Sequence, residues 1–353
     1  MTGTAAVIEF GLDTPAYLTD DEHGGLVAGD QVIRDVIDEA VLAEQVGFDS
    51  FNIAEHYRPD LMDTAASVIL AAIAGRTSRI RLGTAVTVLS TRDPVRVFHE
   101  YSTLDAVSNG RAHLIVGRGS ATESFPLFGY DLADYESLFD QKLELFTRLL
   151  RQRPVTWSGT VRPPLQQQIL NPPLPPGHLP TWVAVGGSPS SVVRAARHAL
   201  PLMLAAIGGP PQRFAPMVDL YHRALQQAGT PVLPVGIHSA GLIASTDQEA
   251  ADVQWPYWRE AIAGEHQVRG WRVPTREQYA AEIATGSMYV GSPETAAVRI
   301  AHTIDLLGVQ RFDLAYAPGR VPHRLRMRTI ELFGREVIPR VLEILHHRPA
   351  RPS

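Results

Sequence analysis

The chain has no cysteine in its 353 residues, which at once excludes disulfides, thiolate metal sites and a cysteine nucleophile. No window reaches the ~18 uninterrupted apolar residues of a membrane span, and the first residues lack the basic start and long apolar stretch of a secretory signal. A cytoplasmic location is therefore expected. The net charge of −5 supplies no attraction for nucleic acid or for an anionic membrane surface. Neither a His-Glu-x-x-His pair nor a calcium-loop series of carboxylates occurs, so no dedicated metal is expected. The Gly-x-x-x-x-Gly-Lys-Ser/Thr loop of triphosphate sites and the Gly-x-Ser-x-Gly elbow of serine hydrolases are absent too.

What is present is an ordinary globular composition, 45% hydrophobic and 20% charged, in an alternating pattern of short apolar runs and helical periodicities. Val7 to Phe10 reads as a first strand ended by Gly11, and Leu12 to Asp30 as a loop. A helix follows from Gln31, with Asp30 placed to cap it and Gly47 to stop it. Strands are then expected at Ser50 to Ala54, Ile80 to Val88, Ala112 to Val116, Thr181 to Val185, Leu202 to Ala205, Pro234 to Ala244 and Phe312 to Tyr316, with helices between them. Eight strands joined by helical crossovers close most economically into a (β/α)8 TIM barrel, an α/β fold. A doubly wound open sheet is the alternative. Residues 1–353 are read as one such domain. A proline-rich surface excursion interrupts it at about 153–180, with eight prolines. A candidate lid at about 246–288 carries Trp255, Tyr257, Trp258 and Trp271.

The stretch from Gly47 to Asp60 is where chemistry is expected. A short apolar strand there delivers Glu55, His56 and Tyr57 at its carboxyl end before Pro59 forbids further ladder pairing. In parallel α/β folds that is the end where sites are built. Neutral imidazole moves protons well near pH 7, so His56 is the candidate proton carrier. Glu55 either orients it or serves as a satisfied strand-end carboxylate.

Two loops suit an anion. Gly117-Arg118-Gly119 follows a strand, and its glycines let backbone approach a ligand while Arg118 offers a planar fork. It lacks the third glycine and the later acidic residue of a dinucleotide fingerprint, so nicotinamide binding there is not expected. Gly186-Gly187-Ser188-Pro189-Ser190-Ser191 opens a helix, where free backbone N–H groups and the dipole favour negative charge. Together they fit a monophosphate better than a triphosphate.

These segments, with Ala54-Glu-His, Leu82-Gly-Thr-Ala-Val-Thr-Val-Leu-Ser-Thr, Leu104-Asp-Ala-Val-Ser-Asn-Gly-Arg, Val116-Gly-Arg-Gly and Gly291-Ser-Pro-Glu, resemble the bacterial luciferase-like flavin monooxygenases in register from Ile8 to about Leu342. The resemblance implies a (β/α)8 barrel that binds FMN, or reduced FMN, at the carboxyl ends of its strands. It also implies that His56 is catalytic, that Arg118, Gly187, Ser188 and Ser191 hold the phosphate, and that Thr84, Ala85 and Val86 lie under the isoalloxazine with a cis Ala85–Val86 peptide. Many relatives carry a second histidine where this chain has Tyr57.

The activity so implied is a flavin-dependent monooxygenase that uses reduced FMN and O2 on a small organic substrate. With no nicotinamide fingerprint in the chain, a separate reductase would supply the reduced flavin. A homodimer through charge-poor helix faces, including Ala65 to Ala74, resembles family practice. Three other readings stay open: an F420-dependent hydride-transfer oxidoreductase of the same fold, a non-catalytic flavin-binding barrel, and an aldolase or isomerase acting on a phosphorylated substrate.

Overall fold

The computed structural model describes residues 8–347 apart from 22, 120, 176 and 271, and for 265–269 it describes the backbone alone. Its strands are β1 (Glu9–Thr14), β2 (Ser50–Ile53), β3 (Arg81–Val88), β4 (Leu114–Gly117), β5 (Val155–Trp157), β6 (Leu165–Gln168), β7 (Thr181–Val185), β8 (Leu202–Ala206), β9 (Val235–Ile243), β10 (Tyr289–Gly291) and β11 (Arg311–Tyr316). The helices are α1 (Gly29–Val46), α2 (Ala66–Ala74), α3 (Pro94–Val107), α4 (Ser124–Leu127), α5 (Tyr135–Arg151) and α6 (Pro189–Arg197). They continue as α7 (Ala215–Gln227), α8 (Asp247–Arg269), α9 (Arg276–Thr285), α10 (Pro293–Leu307), α11 (His323–Leu332) and α12 (Ile338–His346).

Hydrogen bonds run β1-β2-β3-β4-β7-β8-β9-β11 and back to β1, all parallel, so eight strands close a barrel with helices in the crossovers. These are the eight strands expected from the sequence. β10, which the sequence pattern did not reveal, pairs with the last residues of β9 beyond the reach of β8. In the excursion, β5 and β6 form a separate antiparallel pair.

The first strand differs from expectation. Gly11 does not end it; β1 runs on through Leu12 and Asp13 to Thr14. A Cβ at Gly11 would collide with the side chains of Asp313 and Ser50, so the glycine is there for room inside the barrel and not for a turn. The helix start differs as well: α1 begins at Gly29 with Ala28 at its N-cap, and Asp30 sits in the first turn paired with Arg34. Gly47 does end α1 in the left-handed region, at φ 100°.

The barrel's amino end is plugged by a buried polar cluster. Arg311 donates to both oxygens of Asp313 at 2.8 and 2.7 Å and to Ser50 Oγ at 3.1 Å, and it lies 3.2 Å from His113 Nε2. Burial pushes the Asp313 carboxyl up to about 6 against the opposing pull of Arg311. Outside the barrel, Leu82, Leu114, Val183 and Leu204 pack with helix residues such as Ile73 and Val192 in one apolar core. A strand buried on both faces makes such near-continuous apolar runs necessary. With one end filled, the cavity lies at the other, among the strands' carboxyl ends.

Candidate active site

That cavity has a volume of about 250 Å³ and is lined from seven barrel strands and from the segments that follow the strands. The segment that follows β2 contributes Glu55, His56 and Tyr57, β3 contributes Ala85, Val86 and Val88, and β9 contributes His238. The Ala85–Val86 peptide is cis, as the resemblance implied. Thr84 lies behind this wall, its Oγ1 bonded to Thr87 Oγ1 at 2.8 Å.

His56 is held by a residue that sequence reading did not single out. Its Nδ1 lies 2.8 Å from Asp63 Oδ2, and its backbone N–H donates to Asp63 Oδ1 at 3.1 Å. Asp63 has no exposed side-chain surface, whereas a quarter of the imidazole surface is free, which leaves the Nε2 edge for the cavity. Burial pushes the Asp63 carboxyl above its usual range, and the hydrogen bond and charge of His56 pull it back. The only cue in the sequence is an aspartate seven residues after the histidine, with a proline between.

Glu55 does not orient His56. It accepts from Tyr57 Oη at 2.6 Å, from the Val88 N–H at 3.3 Å and from Arg92 Nη1 at 3.4 Å, and Arg92 is held in turn by Glu100. Burial pushes Glu55 up, with Arg92 and Tyr57 opposing. Glu55 thereby pins the end of β3 to the end of β2.

The two anion loops meet beside the cavity, whose lining includes Gly119 and Ala184. Arg118 Nη2 donates to Ser191 Oγ at 3.0 Å, and its guanidinium lies 5.1 Å from the centre of the Tyr135 ring. Arg194, one turn into α6, donates to the same Ser191 Oγ at 3.3 Å. Glu136, at the start of α5, pairs with both guanidinium groups. Ser188 Oγ bonds Ser190 Oγ at 2.7 Å and caps no backbone N–H of α6. Gly187 holds φ 117°, with nothing near where a Cβ would stand. Two arginines, hydroxyls and an uncapped helix start make a cradle suited to a dianionic phosphate. Arg194 and Glu136 were not found in the sequence because they join the cradle only through packing of α5 and α6.

A second imidazole also went unrecognised. His238, in the middle of β9, bonds through Nδ1 to Asp13 of β1, and both residues line the cavity. Burial lowers the His238 pKa, but the charge of Asp13, the hydrogen bond to it and the charge of Asp313 together hold it above the ordinary value. Among the described residues no group of three or more His, Asp or Glu could hold a metal ion.

Trp255, Tyr257 and Trp258 of the 246–288 segment lie elsewhere. Trp255 and Trp258 pack on Tyr279 at 5.1 and 5.2 Å between ring centres, holding α8 to α9, and neither they nor Tyr257 lines the cavity. Trp271 falls outside the described residues.

The model of the luciferase-like monooxygenase family matches residues 14–311. The chain belongs to that family. It is 26% identical over 221 residues to the alkanal monooxygenase alpha chain of Photorhabdus luminescens, a match covering 62% of this chain and 60% of the other. To the F420-dependent glucose-6-phosphate dehydrogenase of Amycolatopsis mediterranei it is 28% identical over 162 residues, covering 44% and 48%. Its fold resembles that of the oxygenating constituent of 3,6-diketocamphane monooxygenase from Pseudomonas putida, a type II Baeyer–Villiger monooxygenase solved with FMN. That likeness has a TM-score of 0.74 at 19% identity and covers 94% of this chain and 98% of that one. No helix among the described residues is long and apolar enough to cross a membrane.

Proposed function

We propose that this family member is a monooxygenase using reduced FMN and O2 on a small organic substrate, with His56 as its proton carrier. The observation that carries this reading is one mouth holding a phosphate-suited cradle (Arg118, Ser188, Ser191, Arg194), an apolar wall at Ala85 and Val86, and an imidazole with a free edge.

Reduced flavin, when bound, supplies the electrons that activate O2. Arg118 and Arg194 hold the phosphate as charge-assisted donors, with Glu136 keeping both guanidinium groups in place. Gly187 and Ser188 present backbone N–H groups to the same phosphate. Ala85, Val86, Val88, Ile115, Ala184 and Met203 form an apolar lining that keeps water from the reacting centre. His56, with Nδ1 fixed by Asp63, takes or gives a proton at Nε2. Glu55 acts as a support and is not proposed to touch the reacting atoms.

The test is a fluorescence titration with FMN, repeated with photoreduced FMN under argon and followed by admission of air. Tight binding of reduced FMN, with loss on Arg118→Ala, is expected. Equal or tighter binding of F420 would favour the hydride-transfer reading, which the F420-dependent relative keeps in view. Purified protein with added FMN should not oxidise NADH, because a separate reductase is the proposed source of reduced flavin. A homodimer through α2 is also proposed, since Val68, Ala71 and Ala72 are exposed there without a charge between them. Sedimentation of Val68→Glu as a monomer would support it, and an unaltered sedimentation coefficient would count against it.

A further inference from the structure

The proline-rich excursion encloses a second cavity against α3 and α5, about 370 Å³ in volume, and no residue of its lining is shared with the catalytic cavity. One helix reaches both regions. Glu136 in the first turn of α5 belongs to the phosphate cradle, while Leu149, Leu150 and Arg151 in its last turn line the second cavity. A helix of 17 residues rises about 25 Å, which sets the two places at opposite ends of the barrel. The walls of the second cavity are apolar where they are deepest: Phe98, Leu149 and Val155 are buried, and Leu170 and Leu174 come over them from the excursion. Its rim carries one sign of charge. Arg151 Nη2 donates to the carbonyls of His198 and Ala199 at 2.7 and 3.2 Å, and Arg153 Nη2 donates to Asn171 Oδ1 at 3.4 Å. Those acceptors are uncharged, neither guanidinium has an ion-pair partner among the described residues, and no Asp or Glu lines the cavity.

An apolar floor under a cationic rim is complementary to an amphiphile with an anionic head. Walls held apart across a cavity forfeit dispersion contacts that an apolar body restores, and guanidinium groups without counterions favour a negative group beside them. The planar fork of arginine matches a carboxylate, and the carboxamides of Gln152 and Gln168 supply further donors in the same lining. The volume is that of a small-molecule site. We propose that this cavity binds a monocarboxylate with an apolar body, such as a medium-chain fatty acid, its chain against Phe98, Leu149 and Leu174 and its carboxylate at Arg153. Arg151, committed to two backbone carbonyls, adds attraction through its charge. The site is distinct from the flavin and substrate sites proposed above and does not depend on them.

The test titrates octanoate and octanol, equal in chain length and different in charge, by calorimetry into the full chain at neutral pH. Wild type is expected to bind octanoate at a single site roughly ten-fold or more tightly than octanol, on the scale of charge-assisted hydrogen bonds. Arg153→Gln should bring octanoate down to the affinity of octanol and leave octanol unchanged, which also shows that the variant is folded. Leu174→Trp, which fills the cavity from a half-buried position, should weaken both ligands. FMN titrations should be the same in wild type and both variants, with or without octanoate. Octanoate binding that keeps its wild-type strength in both variants, or that FMN displaces, places the ligand in the catalytic cavity and overturns the proposal. Equal affinities for octanoate and octanol overturn it too, as does failure of wild type to bind octanoate. If wild type does not bind FMN, the flavin reading falls alone, and the two variants still decide this one.

Discussion

Two of the buried charge sets in this molecule differ in whether they are closed. Between α1 and α11, Glu39 receives Tyr316 Oη, His323 Nδ1 at 3.1 Å and two donors of Arg326 at 2.8 and 3.1 Å, so its carboxylate is saturated. At the barrel mouth, His56–Asp63 and His238–Asp13 each satisfy one edge of a ring and leave the other to the cavity. A saturated carboxylate has no acceptor left to offer a ligand and serves packing and register. An open pair carries a desolvation cost in the free protein that binding can relieve, so open pairs mark the site.

The sharpest way to break that contrast is Glu39→Gln. It leaves Arg326 charged and buried with no counterion, which should cost about 3–5 kcal/mol in urea unfolding with little change in activity per folded molecule. The network also sets an acid limit. Burial alone would raise the Glu39 pKa, but Arg326, His323 and Tyr316 outweigh it and hold the group down from 4.5 to about 2. A depressed carboxylate contributes stability that is present above pH 4.5 and lost as pH falls toward 2. The drop is on the order of 3 kcal/mol by linkage. Unfolding midpoints measured across that window should fall in wild type and stay flatter in the variant.

The open set should respond the other way. His56→Ala is expected to lower turnover by about 10² to 10⁴, the usual span for losing a general acid or base, while stability and FMN affinity hold. Single-turnover kinetics with reduced FMN would separate this from a binding defect. Arg118→Ala should weaken FMN by about ten- to a hundred-fold, as expected for charge-assisted bonds worth ~1.5–3 kcal/mol, with Arg194 holding part of the phosphate. An affinity unchanged by this variant would move the phosphate elsewhere.

The same contrast explains what could be read from the chain. The barrel was legible because its strands are short apolar runs spaced by helical periods, and the motifs at Gly117-Arg118-Gly119 and Gly186 to Ser191 are contiguous. Glu39 with Arg326, and Asp13 with His238, are 287 and 225 residues apart. Only closure of the barrel and docking of its last helices bring them together, and no local pattern encodes that. Asp13 was hidden further because Gly11 looked like a strand end, when it marks a crowded interior. Glu55 misled for a related reason. Both residues follow the end of β2 and line the cavity, but the Glu55 carboxylate turns to Tyr57, Val88 and Arg92 while Asp63 comes to His56, so the neighbour in sequence is not the bonding partner in space.

That last point gives the smallest and most discriminating expectation. If Asp63 orients His56, Asp63→Asn should reduce turnover by roughly ten-fold or more, since the amide can hold the wrong tautomer at Nδ1. Its cost in stability should be small, because burial already disfavours the charged form of Asp63 and the amide oxygen can still accept from the His56 N–H. Glu55→Gln makes the matching control. It should loosen the β2 and β3 ends and lower the melting temperature while turnover per folded molecule holds. A roughly ten-fold loss of turnover in Glu55→Gln and an unchanged turnover in Asp63→Asn would exchange the two carboxylates' roles.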